Sequence, residues 1–171
     1  MNKLFTTKRL CRAGVISALY VVLTYAFSTF AFGPFQVRPA EALSILPLFF
    51  PEAVPALFIG CMLSNLISAY TVYDIVFGSL ASLIAGLCTY AVGKYFKRDG
   101  VKIALGGLFP VIINALMIPL IIVFLCGDTG GYGGVWTAYF TMVAIFLGTQ
   151  TVWVYGLGTP LYFSVKRIWK K

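Results

Sequence analysis

The chain has 171 residues, of which 60% are hydrophobic and only 11% are charged. Soluble globular domains carry about 25% charged residues, and a chain this apolar cannot cover a water-facing surface with polar groups. The composition therefore excludes a soluble domain and indicates a protein embedded in a bilayer. The net charge of +8, from 13 Lys and Arg against 5 Asp and Glu with no His, would suit a nucleic acid. All the basic residues except Arg38 instead lie in three short clusters that flank apolar segments, so we predict no nucleic-acid binding.

Six apolar segments follow one another along the chain and predict a single transmembrane domain over residues 1–171. They run roughly over 11–32, 39–51, 53–70, 72–93, 103–126 and 135–164. A transmembrane helix needs about 20 residues, and a short connection adds a few more. We therefore predict an all-α, integral membrane bundle of six transmembrane helices.

The basic clusters predict the orientation, because Lys and Arg favour the cytoplasmic side of a membrane. They lie in the amino-terminal segment, in the connection 94–102 and in the carboxyl-terminal segment 166–171. If all three clusters are inside, an even number of spans must separate consecutive clusters, and the apolar segments supply four and then two. We therefore predict that both termini are cytoplasmic.

The second segment, 39–51, is the least regular of the six. Four prolines lie within it or beside it: Pro39, Pro47, Pro51 and Pro55. It can be a tilted span, or it can form half of a re-entrant hairpin with 53–70, which would leave four full spans. We favour six spans because irregular backbone at membrane depth needs protein or water to satisfy its polar groups.

Six strongly polar residues lie inside or at the border of the apolar segments, where ionisable groups are costly and mark functional sites by default. They are Arg38, Glu41, Asn65, Asp74, Asn114 and Gln150. In the predicted topology all of them lie at or above the midplane on the external side. Together with aromatic residues of the same region, among them Tyr139 and Trp153, they predict an outward-facing cavity. Its walls suit a small, planar, polar ligand that is neutral or cationic.

Helical spacing places several of these residues on shared faces, because residues three and four apart are neighbours on a helix. Glu41 shares a face with Ser44, and Asn65 shares one with Cys61 and Ser68. The polar residues are therefore expected to act in groups.

Each of these residues also has an ordinary structural interpretation. Arg38 and Glu41 can pair with each other at the interface, and Asp74 can cap the helix that follows it. The amides can join helices by hydrogen bonds. The outer aromatic residues can form an interfacial belt, and these are Tyr70, Tyr73 and Trp136. The position of the polar residues on one side favours the pocket.

Catalytic and cofactor motifs are absent from the sequence. The four cysteines are Cys11, Cys61, Cys88 and Cys126. They are far apart and form no CxxC pair, so we interpret them as apolar residues that fill space between helices. There is no His, no GxxxxGK[ST] nucleotide loop and no GxSxG elbow. We predict a protein without enzymatic activity, cofactor or metal, which would need an ion gradient or a partner to concentrate a solute.

Two stretches closely resemble the QueT family. One is residues 36–61, QVRPAEALSILPLFFPEAVPALFIGC, and the other is Asn65 followed by residues 73–81, YDIVFGSLA. The resemblance implies a six-helix substrate-binding (S) component of an energy-coupling factor (ECF) transporter, in a prokaryotic plasma membrane, that is associated with uptake of queuosine precursors. Such a component captures substrate outside, docks on a membrane scaffold driven by two ABC ATPases, and releases the substrate inside by toppling.

The resemblance also implies a ligand, prequeuosine, which is an aminomethyl-deazaguanine. Its cationic group would need a carboxylate, Glu41 or Asp74, and its guanine-like edge would use the three amides. Its ring would stack on Trp153 or Tyr139. Family members meet the scaffold through small residues of the first helix, and the matching positions are Ala13, Gly14, Ser17 and Ala18.

Three other functions remain open from the sequence. The chain can be an S component for another vitamin-like solute, a solitary small-solute carrier or channel, or a membrane enzyme. A ligand screen, transport in liposomes without partners, and turnover by the isolated chain would distinguish them.

Overall fold

The computed structural model describes residues 6–31, 37–68 and 71–169, and every regular element within these ranges is helical. The α-helices are α1 (Thr7–Ala26), α2 (Ser28–Ala31), α3 (Ala53–Ser64), α4 (Thr71–Tyr73), α5 (Ser79–Tyr95), α6 (Asp99–Leu120), α7 (Val135–Gly156) and α8 (Gly158–Trp169). Helical segments of other types join them: the 3₁₀ helix Pro39–Leu48, the 3₁₀ turn Asn65–Ile67, and the π turns Asp74–Gly78 and Ile121–Leu125. The all-α prediction is confirmed for the described residues.

The observed helical segments follow the six predicted ones in order. Four are long and apolar enough to cross a membrane: Thr7–Ala26, Asp74–Tyr95, Asp99–Leu125 and Val135–Ile168. The other two, Pro39–Leu48 and Ala53–Ile67, are shorter. At a rise of about 2.0 Å per residue the 3₁₀ helix is about 20 Å long, against a hydrocarbon core of about 30 Å. The count of six spans and the side of the termini stay predictions.

The 3₁₀ helix Pro39–Leu48 lies at the centre of the bundle. All ten of its residues are buried, and it packs against α1, α5, α6, α7 and α8. A 3₁₀ segment of this length is uncommon because its hydrogen bonds are poorer than those of an α-helix, and Pro47 within it has no backbone N–H to donate. The packing around the segment, more than its local sequence, therefore stabilises it.

Two glycines allow the central elements to approach closely. A Cβ atom at Gly93 would lie 2.6 Å from the backbone oxygen of Leu48, and one at Gly60 would lie 2.9 Å from Cβ of Tyr20. Larger residues would therefore push α5 away from the 3₁₀ helix at the first position, and α1 away from α3 at the second.

The last predicted span, 135–164, is divided into α7 and α8 at Leu157. Gly156, Gly158 and Pro160 surround the break, and these residue types interrupt a helix. The bundle is closed at this end by Asp99 at the start of α6. Its carboxylate accepts a hydrogen bond of 2.8 Å from the Tyr162 hydroxyl and pairs with Lys166.

Candidate functional site

Glu41 lies in the first turn of the 3₁₀ helix and is 3% exposed. The Tyr20 hydroxyl of α1 donates to its Oε1 at 2.7 Å. The Asn114 amide of α6 donates to its Oε2 at 3.1 Å, and the Ser44 hydroxyl donates to the same oxygen at 3.2 Å. A buried carboxylate is strongly unfavourable unless such donors compensate its desolvation. Glu41 is therefore a junction where α1, α6 and the 3₁₀ helix meet.

Arg38 and Cys61 extend the region around Glu41. Arg38 immediately precedes the 3₁₀ helix and is buried. Both Arg38 and Glu41 interact electrostatically with the buried thiol of Cys61 and with Tyr20. The interior thus holds a cationic and an anionic side chain within one region, next to the middle of α1.

A second polar group surrounds Asp74, which is buried and begins the π turn Asp74–Gly78. The Ser68 hydroxyl donates to its Oδ2. The Asn65 amide donates to its backbone oxygen at 2.7 Å and lies 3.5 Å from Sγ of Cys61. Because Tyr73 holds the N-cap position of the π turn, Asp74 lies within the helix and is not its N-cap.

Five predicted residues are buried in this interior, and we call them the polar network: Arg38, Glu41, Asn65, Asp74 and Asn114. Hydrogen bonds join Asn114 to Glu41, and the Asn65 amide to the backbone oxygen of Asp74. The thiol of Cys61 lies near both pairs, since its Sγ is 3.5 Å from the Asn65 amide nitrogen and it interacts electrostatically with Glu41. The face predictions from helical spacing agree with the Glu41–Ser44 and Asn65–Cys61 hydrogen bonds.

Gln150, the sixth polar residue, lies on α7 one turn from Phe146 and Val154, and all three are buried. Its side-chain oxygen Oε1 has no hydrogen-bond partner among the described residues, and the same holds for Oδ1 of Asn65 and Oγ of Ser64. More than 90% of buried polar groups in proteins have a partner, and an unpaired one costs about 1–3 kcal/mol. The two amide oxygens are therefore places where a ligand or a water that donates N–H or O–H would be stabilised.

Tyr139 and Trp153 also lie on α7, and in the described part of the chain neither forms a hydrogen bond with Glu41 or Asp74. Tyr139 is half-buried, and its ring lies 5.8 Å from that of Phe124 and 5.5 Å from that of Phe140. Trp136 joins this aromatic group at 5.5 Å from Phe124. Trp153 is half-buried. Tyr70 of the predicted belt lies outside the described residues.

Tyr20, which donates to Glu41 of the polar network, is a site residue that sequence reasoning missed. It is 1% exposed and lies in the middle of an apolar span. A buried tyrosine hydroxyl requires a hydrogen-bond partner, so an isolated Tyr at this depth was the available signal. The sequence did not indicate that its partner is Glu41, which lies 21 positions away along the chain.

A separate apolar groove lies on the surface of the bundle, between α1 and α3. We call it the α1–α3 groove, and its volume is about 780 Å³. All four predicted partner-binding residues line it: Ala13, Gly14, Ser17 and Ala18. A Cβ atom at Gly14 would meet nothing within 4 Å, so this face is open. The residues of the polar network do not line this groove.

The fold and the network define an all-helical, multi-pass membrane protein whose strongly polar side chains are gathered in its interior. The family model described as QueT transporter matches residues 10–167, and the chain belongs to this family. The resemblance seen in the sequence is thereby confirmed. Membership in a transporter family also supports the plasma membrane of a prokaryote as its location.

A curated relative is the protein named queuosine precursor transporter QueT from Lactococcus lactis subsp. cremoris (strain MG1363). The two are 38% identical over 87 residues, which cover 50% of this chain and 51% of the relative. The chain therefore spans about half the length of the curated relative it matches. No solved structure matches the chain.

Proposed function

We propose that the protein is the substrate-binding component of an ECF-type importer and that it captures a queuosine precursor, prequeuosine or a related deazaguanine, from outside the cell. Membership in the QueT transporter family supports the class, and the function of the Lactococcus lactis relative, as its name gives it, supports the substrate. The observation that carries the site is the pair of buried, unpartnered amide oxygens on Asn65 and Gln150. A guanine-like edge presents N–H donors, which are what these oxygens lack.

Glu41 is the stronger candidate for the aminomethyl cation. A carboxylate offers about four lone-pair sites, and three are used by Tyr20, Ser44 and Asn114. One site remains for a charge-assisted bond to the ligand. Asp74 is the alternative carboxylate. In either case Arg38 and Asn114 supply donors beside the ligand.

The stacking residue remains Trp153 or Tyr139, both of which are carried by α7 together with Gln150. Base–aromatic stacking contributes about 1–3 kcal/mol in nucleic-acid complexes, so it would add substantially to affinity. Quenching of tryptophan fluorescence by prequeuosine, lost in Trp153→Phe but kept in Trp136→Phe, would assign the role to Trp153.

We further propose that a transmembrane scaffold docks on the α1–α3 groove at Ala13, Gly14, Ser17 and Ala18. Small residues allow close approach of helix backbones in a membrane, and Gly14 is open. Two ABC ATPases attached to the scaffold would supply the energy, because the sequence holds no nucleotide-binding loop of its own. Six spans and cytoplasmic termini belong to this proposal.

The test is ligand binding by the purified chain, followed by uptake in cells. We expect a thermal shift with prequeuosine, and uptake only when scaffold and ATPases are co-expressed. A shift with an unrelated vitamin but with no deazaguanine would make the chain an S component for another solute. Transport in liposomes by the chain alone would instead identify a solitary carrier. Co-purification with two ABC ATPases from native membranes would support the partner assignment.

A further inference from the structure

A second cavity adjoins the α1–α3 groove at the amino-terminal end of α1. It has a volume of about 230 Å³, and we call it the basic pocket because Lys8, Arg9 and Arg12 line it. Arg9 and Glu52 line both this pocket and the groove. The apolar groove and the small basic cavity are therefore adjacent, with Arg9 and Glu52 between them.

The basic pocket carries an excess of positive charge. Arg12 and Glu52 neutralise each other through an ion pair of 2.5 Å, and the Arg12 guanidinium also lies 4.4 Å from the centre of the Phe50 ring. Lys8 and Arg9 have no ion-pair or side-chain hydrogen-bond partner in the described part of the chain. Two cations therefore remain for an external anion, beside a first helical turn with no acidic residue.

The groove is long enough to hold an acyl chain. Its lining on α1 runs from Arg9 to Val22, which is about 20 Å along a helix axis. One leaflet is about half of the hydrocarbon core of about 30 Å. A chain that enters at the basic pocket can therefore extend along the groove to the depth of its own leaflet.

We propose that this composite site binds one anionic phospholipid, with its phosphate headgroup at Lys8 and Arg9 and one acyl chain in the α1–α3 groove. Charge favours the lipid over a second copy of this chain. A two-fold dimer through the groove would bring the same cations of two basic chains together. Because the proposed scaffold would use the same face, lipid and scaffold exclude each other, and docking displaces the lipid.

The experiment measures lipid retention by the full chain without scaffold or substrate. The protein is reconstituted in nanodiscs of phosphatidylcholine with a minor fraction of phosphatidylglycerol, and the lipids that stay bound after release are identified by native mass spectrometry. We expect one phosphatidylglycerol per chain, in preference to phosphatidylcholine, and weaker retention at higher salt. Lys8→Gln/Arg9→Gln should weaken it by about thirty-fold, since each basic residue near an anionic surface contributes about 1 kcal/mol.

Two further variants make the result specific. Lys97→Gln/Arg98→Gln removes the same charge from exposed residues elsewhere and should leave retention unchanged. Gly14→Leu fills the groove, where there is room for a side chain, and should lower retention while the headgroup contacts stay intact.

Three outcomes would overturn the proposal. Lys8→Gln/Arg9→Gln could retain as much phosphatidylglycerol as the parent, Lys97→Gln/Arg98→Gln could lose as much of it as Lys8→Gln/Arg9→Gln does, or Gly14→Leu could have no effect on retention. A groove-dependent dimer in place of bound lipid would overturn it as well. Prequeuosine binding is measured separately, so the lipid site and the proposed substrate-binding function can each fail without the other.

Discussion

Glu41 and Asp74 are both buried carboxylates in one polar network, yet they are held in different ways. The donors to Glu41 include Tyr20 and Asn114, which lie 21 and 73 positions away in sequence. The described donor to Asp74 is Ser68, only six positions away. A local pair forms wherever its short segment folds, whereas the contacts of Glu41 exist only when three elements are packed together. Mutations at the two carboxylates should therefore differ in size and kind.

The largest expected difference is in stability. Glu41→Ala would leave buried donors of Tyr20 and Asn114 without their acceptor, at about 3–5 kcal/mol. Asp74→Ala would affect one local hydroxyl donor and should lower stability by about 1–3 kcal/mol. Thermal unfolding in a single detergent measures both. Equal losses would show that Glu41 is no more central than Asp74.

The next effect concerns ligand affinity. If Glu41 binds the aminomethyl cation, Glu41→Gln should weaken prequeuosine binding by about 1.5–3 kcal/mol, because the bond is charge-assisted. Asp74→Asn should change affinity less, and guanine, which lacks the cation, should lose less than prequeuosine in Glu41→Gln. Isothermal titration calorimetry provides the values. A larger loss in Asp74→Asn would transfer the role to Asp74, and unchanged affinity in both would reject both assignments.

The two amides Gln150 and Asn114 should differ in the direction of the stability change when each is replaced by leucine. Gln150→Leu removes a buried acceptor without a described partner, so stability should stay the same or rise, while prequeuosine binding weakens by about 1 kcal/mol. The control is Asn114→Leu, which removes a paired donor and should lower stability by about 1–3 kcal/mol. Thermal unfolding with and without ligand separates the effects. A marked loss of stability in Gln150→Leu would show that its oxygen is satisfied within the fold.

The smallest effects come from single hydroxyl groups. Tyr20→Phe should lower stability by about 1 kcal/mol, because it removes one neutral donor from a buried carboxylate while keeping the ring. Ser44→Ala, at the longer contact of 3.2 Å, should cost less. Chemical denaturation of the two variants in matched micelles compares them. A larger loss of stability in Ser44→Ala than in Tyr20→Phe would contradict the view that the contact of Glu41 with α1 is the stronger one.

Sequence reasoning predicted the fold class and the residues of the network better than their contacts. All six polar residues chosen within apolar segments are buried: Arg38, Glu41, Asn65, Asp74, Asn114 and Gln150. The reason is physical, since a polar side chain in an apolar segment avoids lipid by turning inward. The aromatic residues Tyr139 and Trp153 carry no such constraint, because tyrosine and tryptophan are stable both at an interface and in a pocket.

By itself the sequence determined the helical class, the order of six apolar segments and the short-range pairs Glu41–Ser44 and Asn65–Cys61. The class and the segments depend on composition, and residues three or four apart are neighbours on a helix. Only the tertiary structure decided that Pro39–Leu48 is a buried 3₁₀ helix and that Tyr20 and Asn114 meet at Glu41. Such contacts depend on which helices pack together and at what rotation, and no local periodicity encodes that choice.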